Sequence, residues 1–175
     1  MGKVPLDQLV EEENVEVEWK AFELRPEGVE IPPKSSEYVQ RAKAGVEAMS
    51  KQYGLDMKWN DKSKHSRHAL EGAKYAEEQG FGNEYHDVIF AAQFQQNEDI
   101  NDMDTLVRLG AKIGLDGREL REVLKSRKYR TAVLRDHQEA MQLGITGIPC
   151  FVSGDQGVMG AQDYDSLKAL VNNAE

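Results

Sequence analysis

The sequence predicts an α/β fold in which a long helical block interrupts a small sheet formed near the two ends of the chain. Apolar residues alternate with charged ones from Val15 to Ala21, which is the period of a strand with one buried face. Helical periodicity then runs from Ser36 to about Leu143. After Gly147-Ile-Pro149, two short apolar runs flank Gly154-Asp-Gln-Gly, the layout of a β-hairpin. Because a lone helix-strand unit cannot shield a sheet, we expect the two chain ends to meet.

Start and stop signals order the helices. Pro5 suits the first turn of a helix that ends at Asn14, because the N–H that proline lacks would have no partner there. The block contains six predicted amphipathic helices. In order, they carry Val39 to Tyr53, Ser66 to Gln79, Tyr85 to Ala92, Leu106 to Ile113, a segment starting at Asp116, and Ser126 to Leu143. Ser35 or Ser36, Asp102 and Asp116 are their predicted caps. A last helix carries Tyr164, Leu167, Leu170 and Val171 on one stripe.

Composition excludes several classes of function. The chain has 175 residues, enough for one domain with a buried core, and 39% of them are hydrophobic. Its formal net charge of −9 argues against a nucleic-acid partner, which needs a basic face. Basic residues cluster locally at Lys58 to Arg67 and at Lys125 to Arg130, and both clusters are interpreted as solvated helix faces.

Cysteine and apolar content limit the kinds of site. Cys150 is the sole cysteine, which excludes an internal disulfide and a metal site built on several thiolates. We expect no metal and no other cofactor, since His65 and His68 make only half a zinc site. No apolar run approaches the roughly 20 residues that cross a bilayer, and no signal peptide opens the chain. A cytoplasmic protein without a membrane partner is therefore expected, provided that Met1 is the native start.

Three motifs, in order along the chain, carry a resemblance to a known family. They are Phe22-Glu-Leu-Arg-Pro, Phe94-Gln-Gln-Asn-Glu-Asp-Ile-Asn-Asp and Gly144-Ile-Thr-Gly-Ile-Pro-Cys-Phe-Val. The sequence resembles the DsbA-type thioredoxin-fold proteins, most closely the FrnE-like branch. The resemblance implies a single DsbA-like domain over residues 1–175. Residues 1–34 and 144–175 would form its thioredoxin-like part, and residues 35–143 a large all-helical insertion.

The resemblance also implies a site and an activity. Gly147, Ile148, Pro149 and Cys150 correspond to the family's substrate-binding cis-proline loop, although a trans proline is the ordinary interpretation of the residues alone. The activity would be thiol–disulfide oxidoreduction, with a protein or a small-molecule disulfide or thiol as substrate. Cys150 itself is interpreted as a packing residue, with a mixed disulfide as the alternative.

One departure from the family's pattern affects the predicted chemistry. The family places a first strand and a Cys-Pro-Trp-Cys-like motif just before Gly2-Lys3, and this sequence contains neither. We therefore predict no catalytic residue and no dithiol turnover. The sequence begins at an internal methionine of a longer protein, or it is a deliberately shortened form of one, or it is a natural variant. A natural variant would pair its remaining strand with the hairpin, or complete the sheet with a second copy as a homodimer.

Two other functions stay open. A non-catalytic binding module would hold an extended peptide or a small ligand at the same loop. A glutathione-dependent isomerase-like protein is the least supported alternative, because no serine or cysteine precedes Ser35.

Overall fold

A computed structural model describes residues 1–174, in which eight helices and one two-stranded sheet form. The helices are α1 (Lys3–Glu13), α2 (Ser36–Gln52), α3 (Arg67–Glu78), α4 (Gly82–Phe94), α5 (Met103–Lys112), α6 (Gly117–Ser126), α7 (Arg130–Gln142) and α8 (Tyr164–Asn172). The strands are β1 (Cys150–Ser153) and β2 (Gln156–Met159), and they lie between α7 and α8. The α/β fold with a long helical block is confirmed.

The predicted caps begin three of these helices. The Ser35 hydroxyl accepts the Tyr38 N–H (3.2 Å) at the start of α2. The Asp102 carboxylate accepts the Thr105 N–H (2.8 Å) at the start of α5. The Asp116 carboxylate accepts the N–H groups of Arg118 (2.8 Å) and Glu119 (3.1 Å) at the start of α6. These bonds satisfy backbone donors that a helix start leaves unpaired, so local sequence alone fixes where these helices begin.

The largest core lies inside the helical block. Helix α3 is central and contacts α4, α5, α6 and α7. The buried apolar cluster is drawn mainly from α3 to α6 and includes Ala73, Tyr75, Tyr85, Ile89, Leu106, Leu109, Leu120 and Leu124. Gly72 on α3 gives Tyr85 of α4 its space, since a β-carbon at Gly72 would lie 2.2 Å from the Tyr85 hydroxyl.

The two chain ends meet, as the sequence predicts. Helix α1 packs on α8, and Lys168 pairs with Glu13 at 2.5 Å. Strands β1 and β2 form an antiparallel hairpin in which Cys150 faces Met159 and Ser153 faces Gln156. Helix α8 contacts both strands, so the C-terminal helix links α1 to the hairpin.

The predicted strand from Val15 to Ala21 is wrong as secondary structure. Its alternation is present, because Val15, Val17 and Trp19 are half-buried while the charged residues between them are exposed. The segment nevertheless forms no ladder with another strand within residues 1–174. Side chains hold it instead: Asp136 accepts the Ala21 N–H at 3.1 Å. Alternating burial therefore indicates only that an extended segment lies on a packed surface. A β-strand must in addition form backbone hydrogen bonds with a neighbouring strand.

Within the described residues, every helix is too short or too polar to cross a lipid bilayer.

Candidate functional site

The loop between α7 and β1 contains all four predicted site residues. Helix α7 ends because Gly144 adopts a φ of +75°, which glycine tolerates without a β-carbon clash. The Ile145 N–H then donates back to the Ala140 carbonyl (2.9 Å) and closes the helix end. The chain turns through residues 145–148 and enters β1 at Cys150. The peptide bond between Ile148 and Pro149 is cis, the isomer that the family resemblance implies.

Backbone groups of this loop form an open strand edge. The Gly160 N–H donates to the Pro149 carbonyl (2.8 Å), which extends the hairpin ladder by one bond. Along each strand of an antiparallel pair, the backbone N–H and C=O groups point toward the partner strand at one residue and away from it at the next. The N–H and C=O groups of Cys150 and Val152 therefore point away from β2. Among residues 1–174, neither backbone group of Ile148 has a hydrogen-bond partner, and the residue is 49% exposed.

The N-terminus of α1 lies directly against this loop. Gly2 is the residue before the helix, and a β-carbon there would lie 3.1 Å from Cγ of Pro149 and 3.3 Å from Cζ of Phe151. Glycine is what allows this approach. A helix N-terminus carries partial positive charge, so a negative group beside Pro149 would be favoured electrostatically.

Cys150 is half-buried and its thiol is free. Burial raises the pKa of this thiol above its usual value. A raised pKa keeps the group protonated near neutral pH, and the protonated thiol is a poor nucleophile. The side chain of Met159 faces Cys150 across the hairpin, and its sulfur accepts the Thr146 hydroxyl at 3.9 Å. These observations favour packing over reactivity for Cys150.

The site has contacts that sequence reasoning missed. Phe151 and Met159 border the loop, and the sequence offered no motif that singles them out. The sequence marks Gly2 only as part of the Gly-Lys pair of the family resemblance. Its contact with Pro149 joins positions at opposite ends of the chain, and no local pattern reports such a contact.

Other residues named from the sequence lie elsewhere. The interpretation of Lys58 to Arg67 as a helix face is wrong, because residues 58–66 form a loop and Arg67 is buried against Glu23. His65 and His68 each contact a backbone carbonyl, of Arg25 and Asn101 respectively. Within residues 1–174, no group of three or more histidine, cysteine or acidic side chains is arranged to hold a metal ion.

The structure combines three features: a hairpin entered through a cis-proline loop, a pair of terminal helices of which α8 packs on that hairpin, and a long helical block. Together they define a DsbA-like thioredoxin-type protein. The family model for the DSBA-like thioredoxin domain matches residues 1–172, and the chain belongs to that family.

Individual relatives agree with this assignment. The uncharacterized protein YwbO of Bacillus subtilis (strain 168) is 30% identical over 185 residues, which span 100% of this chain and 90% of that protein. The crystal structure of a probable DsbA oxidoreductase from Streptomyces coelicolor is 29% identical, with a TM-score of 0.85 over 99% of this chain and 82% of that one.

Two more distant structures share the fold alone. A 2-hydroxychromene-2-carboxylate isomerase is 16% identical with a TM-score of 0.80, over 96% of this chain and 85% of that one. A putative protein disulfide isomerase from Nitrosomonas europaea is 17% identical with a TM-score of 0.74, over 97% and 87% respectively.

Proposed function

We propose that this chain is a scaffold of the thiol–disulfide oxidoreductase type that binds an extended thiol or disulfide substrate along the open edge of β1. The carrying observation is the exposed Ile148 backbone beside the N-terminus of α1. An extended peptide that adds to a strand edge gains main-chain hydrogen bonds and can insert side chains into neighbouring pockets. The FrnE-like branch, the cytoplasmic location and pairing with a second copy are further parts of this proposal and stay predictions.

Dithiol–disulfide exchange requires two thiol groups, and this sequence supplies one. In dithiol exchange, one thiolate attacks a substrate disulfide and a second thiol resolves the mixed disulfide. The sequence has one cysteine, and burial raises the pKa of its thiol. We therefore propose substrate binding without dithiol turnover for this chain. The second candidate function is a purely non-catalytic peptide-binding module, and the single, poorly ionised thiol is compatible with it as well.

Two assays test the proposal together. In insulin reduction with dithiothreitol, the chain is expected to show no rate above the uncatalysed background. In fluorescence polarisation, a short labelled peptide of alternating apolar residues with one S-methylcysteine is expected to bind. Ordinary turnover contradicts the first expectation, and absence of saturable binding contradicts the second.

A matched pair of variants locates the binding edge. Cys150→Pro removes an outward N–H and leaves the bonds to β2 intact, because proline is tolerated at a strand edge. Cys150→Ser removes the same thiol and keeps the N–H. We expect Cys150→Ser to bind the peptide like the parent chain and Cys150→Pro to bind about tenfold more weakly, the loss of one hydrogen bond. Equal affinities of the two variants would place the peptide elsewhere.

A further inference from the structure

A cleft of about 630 Å³ separates two loops that lie outside the site described above. One wall is formed by residues 25–34, between the extended segment and α2, and the other by residues 59–65, just before α3. We call it the basic cleft. None of residues 147–150 lines it. Its volume falls in the range of small-molecule sites, about 300–1,000 Å³.

The wall of residues 59–65 is held in place by Asn60. The Asn60 amide NH₂ donates to the Gln93 carbonyl (3.0 Å) and to the Glu98 carbonyl (2.7 Å). Its amide oxygen accepts the N–H groups of Lys62 (3.0 Å) and Ser63 (2.9 Å). One side chain thus ties the loop both to itself and to the end of α4. A loop fixed in this way needs little ordering when a ligand binds.

The opposite loop is anchored by ion pairs where it begins. Glu23 is buried against Arg67 of α3, and Glu27 pairs with Arg127 at 2.9 Å. The two walls also touch, since the ring nitrogen Nδ1 of His65 lies 3.2 Å from the Arg25 carbonyl. The basic cleft therefore has one wall tied by Asn60 to the end of α4 and a second wall that is anchored where it begins, at Arg25 and Glu27.

Chemically, the basic cleft combines apolar surface with free cations. Half-buried Trp59 and the Pro32-Pro33 pair supply flat apolar surface. The side chains of Arg25 and Lys64 have no carboxylate partner within 4.0 Å in the described part of the chain. Lys34 lies 4.4 Å from the ring centre of Tyr38. In a chain of net charge −9, the cleft lining carries three cations, Arg25, Lys34 and Lys64, against two carboxylates, a slight local excess of positive charge.

Two carboxylates, Glu30 and Asp61, also line the basic cleft and limit what it accepts. They repel a ligand with several negative charges, such as a nucleotide, more strongly than a ligand with one. Arginine is suited to a carboxylate, because its guanidinium donates two parallel hydrogen bonds.

We propose that the basic cleft binds a small planar monoanion of the aromatic carboxylate class. Its ring lies on Trp59 and the proline pair, and its carboxylate lies between Arg25 and Lys64. This site is independent of the peptide edge at Ile148.

Calorimetric titration of the whole chain with 2-naphthoate tests the proposal, with neutral 2-naphthamide and inorganic phosphate as comparison probes. We expect saturable binding of 2-naphthoate, at least tenfold weaker binding of the amide, and no competition by phosphate at equal concentration. Arg25→Gln is expected to weaken 2-naphthoate binding about tenfold, or about 1.4 kcal/mol. The control Arg41→Gln, on the exposed face of α2, is expected to change nothing.

Quenching of Trp59 fluorescence by 2-naphthoate supplies a second readout, and Trp59→Leu should abolish that part of the signal. Equal affinity for naphthoate and naphthamide would overturn the proposal, as would an unchanged affinity in Arg25→Gln. Absence of saturable heat up to millimolar probe would also overturn it. Cys150→Pro should leave naphthoate binding unchanged, and this separates the basic cleft from the peptide edge.

Discussion

Replacing Arg127 with alanine is expected to remove a large part of the chain's stability. Glu71 is fully buried, and its carboxylate accepts three bonds from Arg127, at 3.0 and 3.1 Å from Nε and 2.8 Å from Nη2. Deleting one partner of a buried pair leaves an uncompensated charge and costs about 3–5 kcal/mol. For a chain of this size, each kcal/mol lowers Tm by about 2–4 °C, so we expect a fall of about 6–20 °C.

Backbone strain at Arg127 does not contribute to the stability difference between the parent and Arg127→Ala. Arg127 has a φ of +57°, a left-handed conformation that arginine and alanine adopt at similar cost, so that cost cancels in Arg127→Ala. Urea unfolding followed by circular dichroism gives the free-energy difference. The control Arg41→Ala removes an exposed pair with Glu37 and should cost less than about 1 kcal/mol.

A second pair of variants tests the physical cause. Replacing Glu71 and Arg127 together by methionine removes the buried carboxylate along with its cationic partner, and we expect it to restore most of the stability that Arg127→Ala loses. A loss below about 1 kcal/mol in Arg127→Ala would refute the reasoning. A double variant less stable than Arg127→Ala would refute it as well.

Two further predictions concern charge and packing. A hydrogen bond and the nearby charge of Arg127 lower the pKa of Glu27, so its stabilisation is present above the unfolded pKa of about 4.3 and is lost as pH falls through the lower folded value. The stability difference between parent and Glu27→Gln, measured by urea unfolding, should therefore shrink as pH is lowered below about 4; a difference that grows there would be inconsistent with this assignment. Gly72→Ala forces a β-carbon to 2.2 Å from the Tyr85 hydroxyl and should cost about 1–3 kcal/mol, with partial rescue by Tyr85→Phe; a stabilised Gly72→Ala would show that the core relaxes freely.

Local signals predicted the helices well. The caps at Ser35, Asp102 and Asp116 work because donor and acceptor lie within three residues of one another. The loop from Gly144 to Cys150 was also found from sequence, since its glycine, proline and apolar residues are consecutive. Its contact with Gly2 was not, because that contact depends on how α1 packs against the hairpin.

The basic cluster illustrates where local reasoning fails. Lys58 to Arg67 has the composition of a solvated face, and the sequence gives no sign that one of its members is buried. Arg67 is 3% exposed because Glu23, 44 residues away, compensates its charge. Lys64 instead borders a cleft whose other wall begins at Arg25. Such separations exceed any periodicity that a single sequence displays.

By itself, the sequence determined the α/β class, the order of the helices, the hairpin and the loop that precedes it, because each depends on residues within one or two turns of one another. Only the tertiary structure decided that residues 15–21 have no strand partner within residues 1–174, that Gly2 lies against Pro149, and that two distant loops enclose a basic cleft. Strand pairing, charge compensation and cavities are properties of surfaces that meet in space. Their energies depend on burial and on the partner that burial brings within reach.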